Sequence, residues 1–396
     1  MSHQRPVKLS DAIAAAYGRA ELPYKAQLDV TYRCELACKH CYLDDRNTWP
    51  ELTTDEWRSV LDQLAQVGVL QLTWSGGDPL QRSDLLELLG HGRRLGFGHI
   101  LRTHAMAVTD AVARALAEAG VDTARVSVYS LRPEVHDAMT SGPGSLRATL
   151  AGIAALRAAG ISVHVDAFVI AETIEEIPTL AQHFSDQGVS VGFGTKVHRD
   201  HLGRDGLDRL DLERRQRVRA QQLAWSAGGR PPTVHPPLGQ RMNQGPCTAG
   251  RQSLYISPDG AVWPCVMFPM ELGHLRQRRL AEIWRESPQR QQILAFDNRQ
   301  RTACHDCAGS ETCFFCMGEA FKTTGDFRRA PAHFHSRTRD WMRGYEAAHG
   351  PTWTAEQWAT VPEGDVRPPR PARFVFPIYR PRKGHGARAT APKAEP

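Results

Sequence analysis

The sequence predicts an α/β protein with a small cysteine-rich module behind it. Three observations carry that prediction. Strand-like and helix-like segments alternate from Gln27 to Val197, the pattern of a parallel sheet with helical crossovers. The chain has 396 residues and is 41% hydrophobic and 23% charged, enough to bury a sizeable core. Its nine cysteines are grouped: three fall between Cys34 and Cys41, and six between Cys247 and Cys316. An odd number of closely spaced thiols is the distribution of metal ligands rather than of disulfides.

The elements follow in order. Ala26–Thr31 reads as the first strand. Thr53 and Glu56 are spaced as a capping box for a helix over Asp55–Val67, which Gly68 ends. Further strand-like runs lie at Leu70–Trp74, His99–Thr103, Arg125–Tyr129, Ser162–Ile170 and Val189–Thr195. Helix-like runs separate them at Ser83–Leu95, Thr109–Ala119, Leu146–Ala159 and Glu175–Asp186. Periodicity alone fits both a doubly wound sheet and a curved partial barrel.

Residues 199–245 read as a charged helix and a Gly/Pro-rich linker. Residues 246–335 are rich in turns, as in modules where metal cross-links stand in for a large core. From Pro362 onward, eight prolines and eight Lys/Arg against three Asp/Glu describe an extended or disordered tail. That tail carries most of the net charge of +6, so the body is nearly neutral and no nucleic-acid partner is expected. No apolar run reaches the roughly 18–20 residues of a membrane span. Met1–Ser10 lacks the apolar stretch of a signal peptide, so a cytoplasmic protein without a membrane partner is expected.

The first cysteines read Cys34-x3-Cys38-x2-Cys41, directly after the first strand. Three thiolates from one loop can hold three corners of a [4Fe–4S] cube and leave the fourth iron open to a substrate or cofactor. The alternative is a structural zinc knuckle completed by His40. Gly76-Gly77-Asp78-Pro79 follows the second strand as a tight turn.

In this order the motifs resemble the radical S-adenosylmethionine (SAM) superfamily, whose cysteine loop reads C-x3-C-x-aromatic-C, with His40 at the aromatic position. The resemblance spans about residues 24–197 and implies a partial (β/α)6 TIM-type barrel. It makes Cys34, Cys38 and Cys41 the ligands of a catalytic [4Fe–4S] cluster. Gly76-Gly77-Asp78-Pro79 is similar to the family's Gly-Gly-Glu-Pro, where the glycines allow close backbone approach and the acid accepts a bond from the SAM amino group. Ser127, in Val126-Ser-Val-Tyr-Ser130, stands where the family places a serine near the SAM ribose. The family-like stretch continues through Glu134-Val-His-Asp137 and Gly142-Pro-Gly-Ser145. Thr103-His104-Ala105 departs from the family's Thr-Asn-Gly. The implied cofactor-binding set is His40, Gly76, Gly77, Asp78, Pro79 and Ser127.

The second group reads Cys247-x12-Gly260-x4-Cys265, then Cys304-x2-Cys307-x5-Cys313-x2-Cys316. Leu254 to Pro264 has the pattern of a hairpin with an Asp-Gly turn, which brings Cys247 and Cys265 together. Cys304, Cys307, Cys313 and Cys316 would also make a tetrahedral zinc ribbon. The six cysteines, with Leu272-Gly-His-Leu275 and Ile283-Trp284, resemble the SPASM extension of radical SAM enzymes. That resemblance implies one or two auxiliary [4Fe–4S] clusters, with two favoured. Cys247, Cys265 and Cys316 would serve the first, and Cys304, Cys307 and Cys313 the second. The final C-x2-C is shorter than the family's C-x3-C, and the family's later seventh cysteine is absent; His333 and His335 lie about where it would fall. Each auxiliary cluster is thus expected to have a non-cysteine or open fourth site.

The expected organisation is a segment at 1–23, a radical SAM core at 24–198, a helical linker at 199–245, a SPASM-like domain at 246–345 and a tail at 346–396. The resemblance implies a SAM-dependent enzyme that crosslinks or epimerises a ribosomally made precursor peptide. It also implies a flavodoxin- or ferredoxin-type electron donor. The stretch before the first strand is too short for a peptide-recognition domain, so a separate recognition protein or the tail is expected to hold the leader peptide, unless there is no leader-binding module. Rival readings are a sulfatase-maturing or tetrapyrrole-pathway radical SAM enzyme, and a non-catalytic zinc or Fe–S protein. Most of the nine tryptophans are expected to pack or cap the core. His198, Arg199 and His201 are expected in a solvated loop.

Overall fold

A computed structural model describes residues 9–43, 50–196, 200–201, 210–228, 242, 244–301, 304–313 and 315–362. Helix α1 (Leu9–Arg19) precedes strand β1 (Lys25–Thr31). Then come α2 (Thr54–Gln66), β2 (Gln71–Gly76), α3 (Leu85–Arg94), β3 (Gly98–Thr103), α4 (Asp110–Glu118) and β4 (Val121–Ser127). The array ends with α5 (Pro133–Thr140), α6 (Ser145–Ala158), β5 (Ser162–Phe168), α7 (Ile177–Ser185) and β6 (Ser190–Gly194). The six strands are parallel and lie side by side in chain order. A doubly wound sheet reverses its order at a switch point. Here no reversal occurs, so the crossovers advance one way and the sheet is a partial barrel.

Side chains alternate across this sheet with the period of two that strands impose. Leu28, Leu72, Leu101, Ala124, Val126, Val163 and Val165 are buried in the core cluster with the helices' apolar faces. The opposite face carries Gln27, Asp29, Thr73, Ser75, Arg102, Arg125, Ser127 and Asp166. Its groups bond to one another: Gln27 Nε2 donates to Asp29 Oδ1 at 3.1 Å, and Arg125 Nε donates to Asp166 Oδ2 at 2.9 Å. One face is thus a packed core and the other a polar lumen.

Local signals set the boundaries. Thr53 and Glu56 form the expected capping box of α2, and Gly68 takes φ +86° beyond its end. Strand β4 starts four residues before the Arg125 expected from sequence, because Val121, Thr123 and Ala124 already pair with His99, Ile100 and Leu101 of β3 across a register irregularity. The Glu134–Asp137 stretch is itself helical, within α5.

Helix α8 (Arg214–Ser226) supplies the helix expected in 199–245. Strand β7 (Ser253–Ile256) then pairs in parallel with β1, and β8 (Ala261–Trp263) and β9 (Gly273–His274) follow antiparallel. The result is one nine-stranded sheet. Gly260, at φ +96°, closes the Asp-Gly turn of the β7–β8 hairpin. Helices α9 (Leu280–Glu286), α10 (Pro288–Leu294), α11 (Met317–Thr324), α12 (Ala332–His349) and α13 (Ala355–Thr360) complete the described chain.

Two expectations are corrected here. The cysteine-rich region is not held by metal alone, since Leu254, Ile256, Phe268, Trp284, Phe296 and Phe334 share the barrel's core cluster. Helix α12 runs through residue 345, and α13 extends ordered structure to residue 360, where the sequence reading had begun a tail. Residues 363–396 lie outside the described residues, as do His198, Arg199 and most of the Gly/Pro linker. No described helix is long and apolar enough to cross a membrane.

Candidate active site and metal centres

The loop carrying Cys34, Cys38 and Cys41 leaves the end of β1 and is clamped from two sides. On one side Gly77 N donates to Thr31 O and Asp78 N to Arg33 O, both at 2.9 Å. A Cβ at Gly76 would lie 2.0 Å from Thr31 O, and one at Gly77 would lie 2.3 Å from Arg33 O. Only glycine admits that approach, and Gly76 also takes φ +133°. On the other side Ala37 N and Lys39 N donate to Thr140 O and Met139 O at the end of α5. Gly142 belongs to the same clamp, because a Cβ there would lie 2.5 Å from Leu36 Cδ2.

The loop lines a cavity of about 150 Å³ at the mouth of the polar lumen. Cys34, Cys38 and Cys41 face it with His40, Gly76, Gly77 and Ser127. The His40 ring lies flat against Phe168 at 5.1 Å, with Nε2 3.2 Å from the Tyr129 hydroxyl. Burial pushes this imidazole down to about 4, so it stays neutral.

Asp78 and Pro79 depart from expectation: both are buried behind the cavity, Asp78 completely. The Asp78 carboxylate accepts from Leu80 N at 2.9 Å, Thr103 Oγ1 at 2.6 Å and His104 N at 3.0 Å. Its arm is one methylene shorter than glutamate, and it is spent on the turn and on β3. His104 stands between it and the cavity, with Nε2 3.0 Å from Asp78 Oδ2 and 3.2 Å from Glu35 Oε2. Burial opposes charge on His104, but bonds to Asp78, Cys34 and Glu35 outweigh it and raise its basicity well above an ordinary imidazole. One donor atom each from Cys34, Glu35 and His104 falls within 4.8 Å of the others.

The sequence reading missed His104 and Arg102 as cavity residues. The signal was there: Arg102 sits on the lumen face of β3, and His104 follows the strand's last residue.

The six later cysteines divide into two trios. Cys247 and Cys265 interact with each other and with Cys316; Cys304, Cys307 and Cys313 line a second cavity together. Cys316 therefore does not complete a ribbon with Cys304, Cys307 and Cys313. A tetrahedral zinc with Zn–S near 2.3 Å would hold sulfurs about 3.8 Å apart. Among the described residues no three cysteine sulfurs lie within 4.8 Å of one another. At least one pair of sulfurs in each trio is therefore more than 4.8 Å apart, a span that a cube of four irons ligated at its corners accommodates. Burial pushes Cys247 up to about 12 and also raises Cys265, Cys307 and Cys313. Bare thiolates are thus costly there, and a bound metal cation would supply the positive charge that stabilises them.

His201 is buried, not solvated: it packs edge-on against Trp263 at 5.1 Å. With Tyr42 and Tyr255 it fills the space between the first cysteine loop and the β7–β8 hairpin.

The family model described as "Radical SAM superfamily" matches residues 28–184, and that of the SPASM iron–sulfur cluster-binding domain matches 247–308. An AdoMet-dependent heme synthase of Methanosarcina barkeri is 27% identical over 324 residues, covering 76% of this chain and 92% of that protein. A PqqA peptide cyclase of Xanthomonas campestris is 29% identical over 385 residues, covering 88% and 95%. Among solved structures, Streptococcus suis SuiB bound to its precursor peptide SuiA superposes with TM-score 0.59 at 15% identity, covering 81% of each chain. The structure of anSMEcpe with bound AdoMet superposes with TM-score 0.61 at 14% identity, covering 82% of this chain and 99% of that one. The chain thus carries a radical SAM domain over residues 28–184 and a SPASM iron–sulfur cluster-binding domain over residues 247–308.

Proposed function

We propose that this enzyme modifies a ribosomally made peptide by hydrogen abstraction, either crosslinking it or inverting a Cα centre. The observation that carries the reading is the placing of Cys34, Cys38 and Cys41 around one cavity at the mouth of a polar lumen. When bound, a [4Fe–4S] cluster with SAM supplies a 5′-deoxyadenosyl radical, which removes a hydrogen that acid–base side chains cannot.

The chain's own residues hold and orient. Cys34, Cys38 and Cys41 ligate three irons and leave the fourth for SAM. The backbone of Gly76 and Gly77 borders the SAM methionyl group, and Asp78 holds His104 in the cavity wall beside Cys34. Arg102 offers a cation to the SAM carboxylate, and Ser127 a hydroxyl to the ribose. His40, flat on Phe168, excludes water from one wall. The second trio (Cys247, Cys265 and Cys316) and the third (Cys304, Cys307 and Cys313) would hold two auxiliary clusters, which would supply a one-electron acceptor for the substrate or a site for it.

The PqqA peptide cyclase and precursor-bound SuiB support a peptide substrate over the rival readings. The M. barkeri heme synthase keeps a tetrapyrrole as second candidate. Iron-reconstituted protein, SAM and a reductant should convert a precursor peptide encoded beside its gene. Crosslinking appears as a loss of two mass units, and epimerisation as uptake of one solvent deuterium. Conversion of a porphyrin substrate with no change in any such peptide would replace this reading by the second.

A further inference from the structure

Helix α12 presents an imidazole to the third thiol trio. His335 and Thr338, one turn apart, both line the cavity formed with Cys304, Cys307 and Cys313. Among the described residues around that cavity His335 is the one imidazole or carboxylate; Phe315, Phe334 and Val361 make the apolar wall. Two thiols already have donors suited to thiolates: Arg301 Nη2 lies 3.5 Å from Cys304 Sγ, and Thr338 bonds to Cys313. His335 is half-buried and, among the described residues, has no hydrogen-bond, ionic or ring partner of its own.

The neighbouring imidazole does not compete. His333 is two residues away, which on a helix turns it about 200° from His335. It is buried against Glu319, with Nε2 3.6 Å from Oε1. Cys316 belongs to the other trio, so no thiol remains for this site.

We propose that His335 is the fourth ligand of the auxiliary cluster held by Cys304, Cys307 and Cys313. The site would then be closed and serve electron transfer rather than substrate binding. This rests on the reading of the trio as an iron–sulfur site. Imidazole in place of thiolate removes a negative charge and raises a cluster's potential.

The test uses the full-length protein, reconstituted anaerobically with iron and sulfide. Pulsed EPR of the reduced auxiliary clusters should show a directly coupled nitrogen that responds to isotope-labelled histidine. That coupling should vanish in His335→Cys, with iron retained and this cluster's potential shifted lower. It should persist in His333→Ala. A wild-type protein with about twelve irons but no nitrogen coupling, or coupling that survives in His335→Cys, would overturn the ligand while leaving the enzyme reading intact. Zinc in place of iron would overturn both.

Discussion

Gly77 has no side chain of its own, yet it sets where three thiols stand. A methyl group there would meet Arg33 O at 2.3 Å and Tyr32 O at 2.6 Å, immediately before Cys34. Gly77→Ala should displace the loop and lose the first cluster alone, a fall of about four irons per chain with the auxiliary EPR signals retained. Full iron content in that variant would count against the clamp. Asp29 makes a different prediction. It is wholly buried under Gln27 and Tyr255, and burial raises it to about 6. The unfolded chain releases this proton near pH 4. Stability should therefore fall as pH rises from 4 to 6, by on the order of 3 kcal/mol, and level off above that. Urea titrations of wild type and Asp29→Asn across that window should show the fall in the first and not in the second.

Elements were legible where local signals and burial agree. The capping box of α2, the Asp-Gly hairpin and the alternation of β1 to β6 all read from sequence, because each depends on a few neighbouring residues. Helix α12 did not. Arg339 and Asp340 stand at positions that look solvated, but they are buried through partners distant in sequence. Asp340 receives Arg217 Nε at 2.8 Å and Arg214 Nε at 3.2 Å, tying α12 to α8. Asp340→Ala strands a buried guanidinium and should cost roughly 3–5 kcal/mol, whereas replacing Arg217 and Asp340 together by apolar residues should recover most of it. Denaturant midpoints of the single and double variants decide this; equal loss in both would rule out an uncompensated charge as the cause. The site shows the same division. Cysteine spacing marked the first trio and the group of six later thiols, and only the family resemblance implied how those six divide, while His104 was passed over because its role depends on Asp78, twenty-six residues earlier and folded behind the cavity.

At the scale of the whole molecule, β7 joins β1 edge to edge and makes barrel and cysteine-rich region one sheet. The sequence reading drew a boundary there because composition changes, and strand pairing is non-local. A shared sheet fixes the thiol trios to one frame, and their distinct roles can be separated. The central claim is that Cys34, Cys38 and Cys41 alone hold the iron that serves SAM. The most direct measurement is formation of 5′-deoxyadenosine by reconstituted protein with SAM and dithionite. Wild type should form it; Cys34→Ala, Cys38→Ala and Cys41→Ala should form none while keeping about eight irons. Undiminished 5′-deoxyadenosine from any of these three variants, or none from the iron-loaded wild type, would contradict the claim.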